Sequence, residues 1–173
     1  LDELKKFMDT HQKAGIVGAK LLNPDGTLQH SCRTFYTLGT ILYRRTILAK
    51  LFPQNRIIRE HLMADWDHND AREVDWVLGS CLMVRREAIG EVGMMDERYF
   101  LYFEDVDWCY RMWRGGWKVY YLPRARMIHH HRRDSARKRI SRERLSHLIS
   151  TLRFYYKWHR SLPTPRLSGR FIL

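Results

Sequence analysis

The chain has 173 residues, 45% hydrophobic and 13% aromatic, enough for one core of ordinary domain size. A mean hydropathy of -0.50, with no apolar run near the ~18 residues that a bilayer crossing needs, excludes an integral membrane span. The 31 Lys+Arg against 19 Asp+Glu give +12, and the excess is local: residues 1–123 are balanced, while the chain from Arg124 onward carries all of it.

No signal-peptide pattern opens the chain, and Leu1 already stands inside a helical spacing, so the sequence reads as a piece of something longer. Leu1, Leu4, Phe7 and Met8 predict a helix over Leu1–Gln12, closed at Gly15, with Asp2 and Glu3 favourable near its start. Ile16–Leu22 reads as a buried strand, Asn23-Pro24-Asp25-Gly26 as a turn, and Thr27–Arg33 as the returning strand of a hairpin. Leu38–Phe52 has helical character, and the stretches 53–55 and 65–72 read as loops.

Val74–Val84 is apolar almost throughout, interrupted only at Gly79-Ser80, as in a strand covered on both faces. Arg85–Val92 and Asp105–Arg114 read as helices ended by Gly93 and by Gly115-Gly116. Trp117–Tyr121 reads as a strand stopped by Pro123, and Met127-Ile128 leads into His129-His130-His131. Ser141–His159 reads as an amphipathic helix with Leu145, Leu148, Ile149, Leu152, Tyr155 and Tyr156 on one side. The organisation expected is therefore a folded unit over residues 1–131 followed by a basic helical segment over 132–173.

Three widely spaced cysteines, Cys32, Cys81 and Cys109, argue against a disulfide framework or a four-cysteine zinc site and favour a reducing, cytoplasmic setting. The basic segment suits a polyanion: anionic headgroups at a membrane surface, diphosphates or, least favoured, nucleic acid. A solvated, solubilising helix face would look the same. Glu104, Asp105 and Asp107 follow an aromatic run at a helix start. Carboxylates there are explained by the helix dipole alone, yet the surrounding apolar residues would put an acid at the edge of a dry cleft, where a raised pKa makes a base. Asp107 and Arg111, four apart, read as an ion pair. In a continuing strand His129 and His131 point to one side and His130 to the other; each has a structural reading as well as a metal-ligating one. Gly79-Ser80 marks either a bulge or a close approach of substrate to the backbone.

These residues, in order, resemble a known family. Val17–Gln29, Val77–Arg86, Ile89–Phe100, Phe103–Asp107, Gly116–Val119 and Ile128–His131 together are similar to the family 2 inverting glycosyltransferases, in their rhamnosyltransferase-like branch. The resemblance implies an α/β chain with a partial GT-A, Rossmann-like fold: the C-terminal, acceptor-side half with a C-terminal amphipathic helix, lacking the nucleotide-binding Asp-x-Asp portion. It implies transfer of a sugar, with inversion, from a nucleotide-diphosphate sugar to a glycan or polyprenyl-linked acceptor, aided by a divalent cation such as Mg or Mn. Asp105, flanked by Glu104, would be the base; His129 would be the metal ligand; Trp76, Gly79, Ser80, Cys81, Phe103 and Arg132 would line the substrate site. Such chemistry needs one base on the acceptor side and positive charge on the departing diphosphate. The rival expectation is a non-catalytic module that contacts anionic partners through its basic tail.

Overall fold

The computed structural model describes residues 1–45, 51–52, 55–130 and 142–159. Helix α1, Asp2–Thr10, carries Asp2 and Glu3 in its first turn and buries Leu4 and Met8, one turn apart, against the sheet below. Its C-terminal carbonyls are gathered by one side chain from far along the chain: the Arg85 guanidinium donates to Met8 O at 2.6 Å, His11 O at 3.1 Å and Ala14 O at 2.8 Å.

Strand β1, Ala14–Leu22, is the centre of the sheet and is buried along most of its length. On one side it pairs in parallel with β7, Lys118–Ile128. On the other it pairs antiparallel with two short strands, β2 (Leu28–Gln29) and β6 (Leu82–Val84). Strand β4, Arg72–Glu73, lies antiparallel on the far edge of β7. Side chains alternate across this sheet with period two. Val17, Ala19, Tyr120 and Leu122 pack toward α1, whereas Ile16, Val119 and Tyr121 join the larger core around the helix Glu104–Arg114. Covering on both faces explains why β1 reads as an uninterrupted apolar run.

Gly15 does not end the first helix, as its sequence position suggested. It lies within β1, where a Cβ would stand 2.8 Å from Trp117 Cβ, so the parallel partner approaches only because the side chain is absent. Gly18 serves Val77 in the same way, with 2.7 Å to its Cβ.

Three other expectations are revised. The apolar run 74–84 is two strands in two sheets: β5 (Trp76–Val77) pairs with β3 (Cys32–Arg33), while β6 pairs with β1. The chain turns between them at Gly79-Ser80. The expected return strand 27–33 divides correspondingly into β2 and β3. Pro123 does not stop β7. Ala19 pairs with Leu122 but Lys20 with Arg126, so the intervening residues, Pro123 among them, form a bulge where a missing N–H costs no ladder bond.

Helix α2 covers Leu38–Arg45, and a short α3, Arg56–His61, starts where the Asn55 side chain accepts the Ile57 N–H at 2.8 Å. Helix α4, Arg86–Val92, ends at Gly93 with φ +81°. Helix α5, Glu104–Arg114, is buried nearly all round, and α6, Arg142–Trp158, packs over its start.

The face that α6 turns inward is not its apolar stripe. Ser150, Thr151 and Phe154 are buried, while Leu145, Leu148, Ile149, Leu152 and Tyr156 face solvent. Polar anchors decide this orientation. Ser150 Oγ donates to Leu101 O at 2.9 Å, Tyr155 OH to Tyr36 O at 3.1 Å, and Trp158 Nε1 to Asp107 at 2.8 Å, while Lys157 Nζ bridges Asp96 and Asp107 at 2.8 and 2.9 Å.

Candidate active site

The chain enters α5 through two consecutive residues in the left-handed region, Tyr102 at φ +66° and Phe103 at φ +71°. Two side-chain-bearing residues in that region cost roughly 1–2 kcal/mol each, a strain that surrounding packing has to hold. Phe103 supplies it: the ring stacks on Tyr36 at 5.0 Å and meets Phe154 of α6 at 5.4 Å.

Directly after this kink stands Asp105, only 8% exposed. Its Oδ1 accepts the Val106 N–H at 2.8 Å, and its Oδ2 accepts the Gly79 N–H at 3.1 Å. Burial raises the carboxyl pKa, while the two N–H donors and the positive charge of Arg33 oppose that rise. Gly79 and Ser80 form an exposed turn directly over this group; a Cβ at Gly79 would meet Asp105 Oδ2 at 3.9 Å. A buried acid of raised basicity thus lies beneath an accessible turn.

Glu104 diverges from Asp105, as adjacent helix residues must. Its Oε2 is buried and has no hydrogen-bond partner among the described residues. Burial first, and then the neighbouring Asp105, raise its pKa. A carboxyl raised in the folded state destabilises once ionised, so the penalty is absent below the ordinary glutamate pKa of ~4.3 and complete above the folded-state value. Glu104→Gln is expected to raise the melting temperature at neutral pH, with the gain shrinking as pH is lowered through that range; melts recorded across pH check it.

Asp107 has a different task. Fully buried, it takes Arg111 Nε at 2.9 Å together with the Lys157 and Trp158 donors of α6. The ion pair read from the sequence is thus part of a clamp.

Trp76 and Phe103 lie in the core, 2% and 3% exposed, on either side of Tyr36, with Trp76 Nε1 donating to Thr34 O at 2.9 Å. They form a floor beneath the start of α5. Cys81 is half-buried, its carbonyl accepts the Ala19 N–H at 3.1 Å, and burial pushes its thiol pKa up. Arg132 and His131 lie outside the described residues.

His129 continues β7 past its last paired residue, its N–H donating to Leu22 O at 2.9 Å. Its Nδ1 lies 2.8 Å from Gln29 Oε1, and the Gln29 amide nitrogen donates to Asn23 Oδ1 at 2.8 Å and to His129 O at 3.1 Å. With the amide nitrogen so committed, Oε1 is the acceptor and Nδ1 donates to it. That is the support a ligating imidazole takes from its surroundings. Among the described residues no group of three His, Cys, Asp or Glu side chains could hold a metal, so a cation here would take at most two such ligands from them. From His129 to Asp105 hydrogen bonds alternate with stretches of chain: Gln29 lies two residues before Ser31, whose carbonyl accepts the Leu78 N–H at 2.8 Å, and Gly79, next in the chain, donates to Asp105.

Sequence reasoning passed over Arg33 and the histidine pair His30 and His68. Arg33 stacks over Trp76 at 5.3 Å, and its Nε is buried with no partner among the described residues. The two histidine rings meet edge-on at 5.2 Å, and burial lowers both pKa values. In the sequence Arg33 stood out only as a cation between a cysteine and a Thr-Phe-Tyr run.

Comparison with known proteins identifies the family. The model of the glycosyltransferase-like family 2 matches residues 4–146. The chain is 34% identical over 139 residues to an N-acetylglucosaminyl-diphospho-decaprenol L-rhamnosyltransferase of Mycobacterium tuberculosis, covering 79% of this chain and 44% of that protein. It is 37% identical over 81 residues to the rhamnosyltransferase WbbL of Escherichia coli, covering 47% and 30% respectively. It is 38% identical over 52 residues to the dTDP-rhamnosyl transferase RfbF of Shigella flexneri, covering 30% and 18%. The chain thus spans less than half the length of these relatives. The mixed sheet covered on both faces is a partial GT-A, Rossmann-like fold, and the chain belongs to the glycosyltransferase-like family 2, with rhamnosyltransferases among its relatives.

Proposed function

We propose that this chain is the acceptor-side portion of a metal-dependent inverting glycosyltransferase, with residues 1–131 contributing to catalysis and 132–173 forming a basic helical segment. The observation that carries this reading is Asp105, a buried carboxylate of raised basicity beneath the exposed Gly79-Ser80 turn. In an inverting transfer the acceptor oxygen attacks the anomeric carbon as the bond to the diphosphate breaks, so one base must take the hydroxyl proton. Asp105 holds both of its oxygens on backbone N–H groups, which fixes the carboxylate plane, and each oxygen keeps a lone pair for that proton. Glu104 flanks it, its own pKa raised by burial and then by the Asp105 charge.

A divalent cation, Mg or Mn, would when bound neutralise charge on the departing diphosphate, and His129 would ligate it. Gly79, Ser80 and Cys81 would border the acceptor, with Trp76 and Phe103 supporting the site from below and Arg132 adding positive charge. The relatives' names favour a rhamnosyl donor and an acceptor carrying N-acetylglucosamine on a polyprenyl diphosphate. The three unpaired thiols suit a reducing, cytoplasmic compartment, and a polyprenyl-linked acceptor would place the work at the inner face of the plasma membrane. No helix among the described residues is long and apolar enough to cross a membrane.

The test is nucleoside diphosphate release by the full-length protein across a panel of nucleotide sugars, with the product's anomeric configuration read by NMR. Release with dTDP-rhamnose above the other donors and an inverted anomeric centre are expected. Retention of configuration, or no release with any donor in the presence of Mg or Mn, overturns the reading.

A further inference from the structure

Helix α6 is held to the body by its polar side. Ser150, Tyr155, Lys157 and Trp158 make the anchoring bonds, and Phe154 is the apolar residue fully buried beneath it. The opposite side carries Leu145, Leu148, Ile149, Leu152 and Tyr156, which are 42–83% exposed. These positions fall within an arc about 100° wide on a helical wheel, running about 16 Å along the axis. A single exposed leucine needs no explanation, whereas a continuous apolar stripe of this length marks a surface that meets something else.

Charge identifies the partner. On the same wheel Arg142 and Arg153 fall beside the stripe, and the sequence preceding the helix contains Arg132, Arg133, Arg137, Lys138 and Arg139 against one acidic residue, Asp134. The whole net charge of the protein lies from Arg124 onward. An apolar stripe bordered by arginines, on a helix too polar to cross a bilayer, is the pattern of a helix lying in the plane of an anionic membrane interface.

We infer that the outward face of α6, centred on Leu148 and Leu152, is a lipid-seating surface that inserts among anionic headgroups. The inference rests on the proposed reading, in which the acceptor is lipid-linked, and adds to it the element that presents the site to that lipid. Phe154, on the inner side of α6, touches Phe103, two residues before Asp105. A bilayer under α6 therefore lies one helix thickness from the start of α5.

The test measures sedimentation of the full-length protein with vesicles of phosphatidylcholine alone, or with about a third of the lipid replaced by phosphatidylglycerol. The protein should bind the anionic vesicles more tightly. Leu148→Ser combined with Leu152→Ser should weaken that binding about tenfold or more, with circular dichroism and melting unchanged because both side chains already face water. Arg142→Gln with Arg153→Gln should reduce the preference for phosphatidylglycerol and leave binding to the neutral vesicles unaltered. Wild-type binding in the double-serine variant overturns the inference. So does a soluble dimer that the serine substitutions dissociate, since the stripe would then belong to a second copy. Vesicle binding that depends on the stripe, without sugar transfer, would sink the enzymatic reading alone; transfer without such binding would sink this one alone.

Discussion

Asp105→Asn in the full-length enzyme is expected to lower sugar transfer about 10²–10⁴-fold, the usual contribution of a positioned general base, while nucleotide-sugar binding stays near that of the wild type. Asparagine keeps one acceptor for the N–H groups of Gly79 and Val106 but cannot take a proton at the acceptor hydroxyl. The fold should tolerate the change. One backbone hydrogen bond is weakened, at about 1 kcal/mol, and the desolvation of a buried charge is relieved, so the two effects oppose. The pH profile adds a second readout. Because the base must be ionised and its pKa is raised by burial, kcat/KM should climb with pH through that value. The asparagine variant should lack this ascending limb. Turnover like that of the wild type would remove Asp105 from the mechanism.

Asp107→Ala is expected to be the most damaging single change to stability. This carboxylate is fully buried and receives Arg111 and Lys157, both at 2.9 Å, Trp158 at 2.8 Å and Tyr99 OH at 3.4 Å. Truncation leaves two cations and an indole N–H without it, and breaking a buried pair from one side costs about 3–5 kcal/mol. Typical domains have ~5–15 kcal/mol in total. At about 2–4 °C per kcal/mol for a chain of this size, the melting temperature should fall by roughly 10 °C, with early proteolytic cleavage in α6. Lys157→Ala should cost less, since Arg111 still faces Asp107 and Trp158 still ties Asp107 to α6, yet it frees Asp96 from the helix and should loosen the same helix. Scanning calorimetry with timed proteolysis separates the two. A melting temperature for Asp107→Ala within ~2 °C of the wild type would show that the clamp is not what holds α6.

The sequence made some of this plain because the determinants were local. The first helix, the buried β1 run, the Asn23–Gly26 turn and the glycine-ended α4 and α5 follow from periodicity and turn chemistry within a few residues. What stayed hidden depends on partners far along the chain. Hydrophobic spacing located the stripe on α6 but could not say which side faces inward, because Ser150, Lys157 and Trp158 find their partners some fifty residues away. The 74–84 run looked continuous because its two halves are buried by different sheets. At the site, spacing set Glu104, Asp105 and Asp107 apart from the rest but not from one another. Only their surroundings distinguish a carboxylate held by two backbone N–H groups from one clamped by cations. Arg33 carried no local pattern at all; its charge acts on Asp105 across the fold, after burial and the two backbone N–H groups.

The irregularity in β7 also decides which side chain reaches Gln29. With even pairing beyond Ala19 and Leu122, Leu22 would face Ala125, and Arg126 would follow in the place that His129 takes. A guanidinium there would repel a divalent ion. The three looped-out positions thus act as a spacer that brings an imidazole to Gln29 in its stead, and under the proposed function shortening that spacer would replace the candidate ligand with a charge of the cation's own sign.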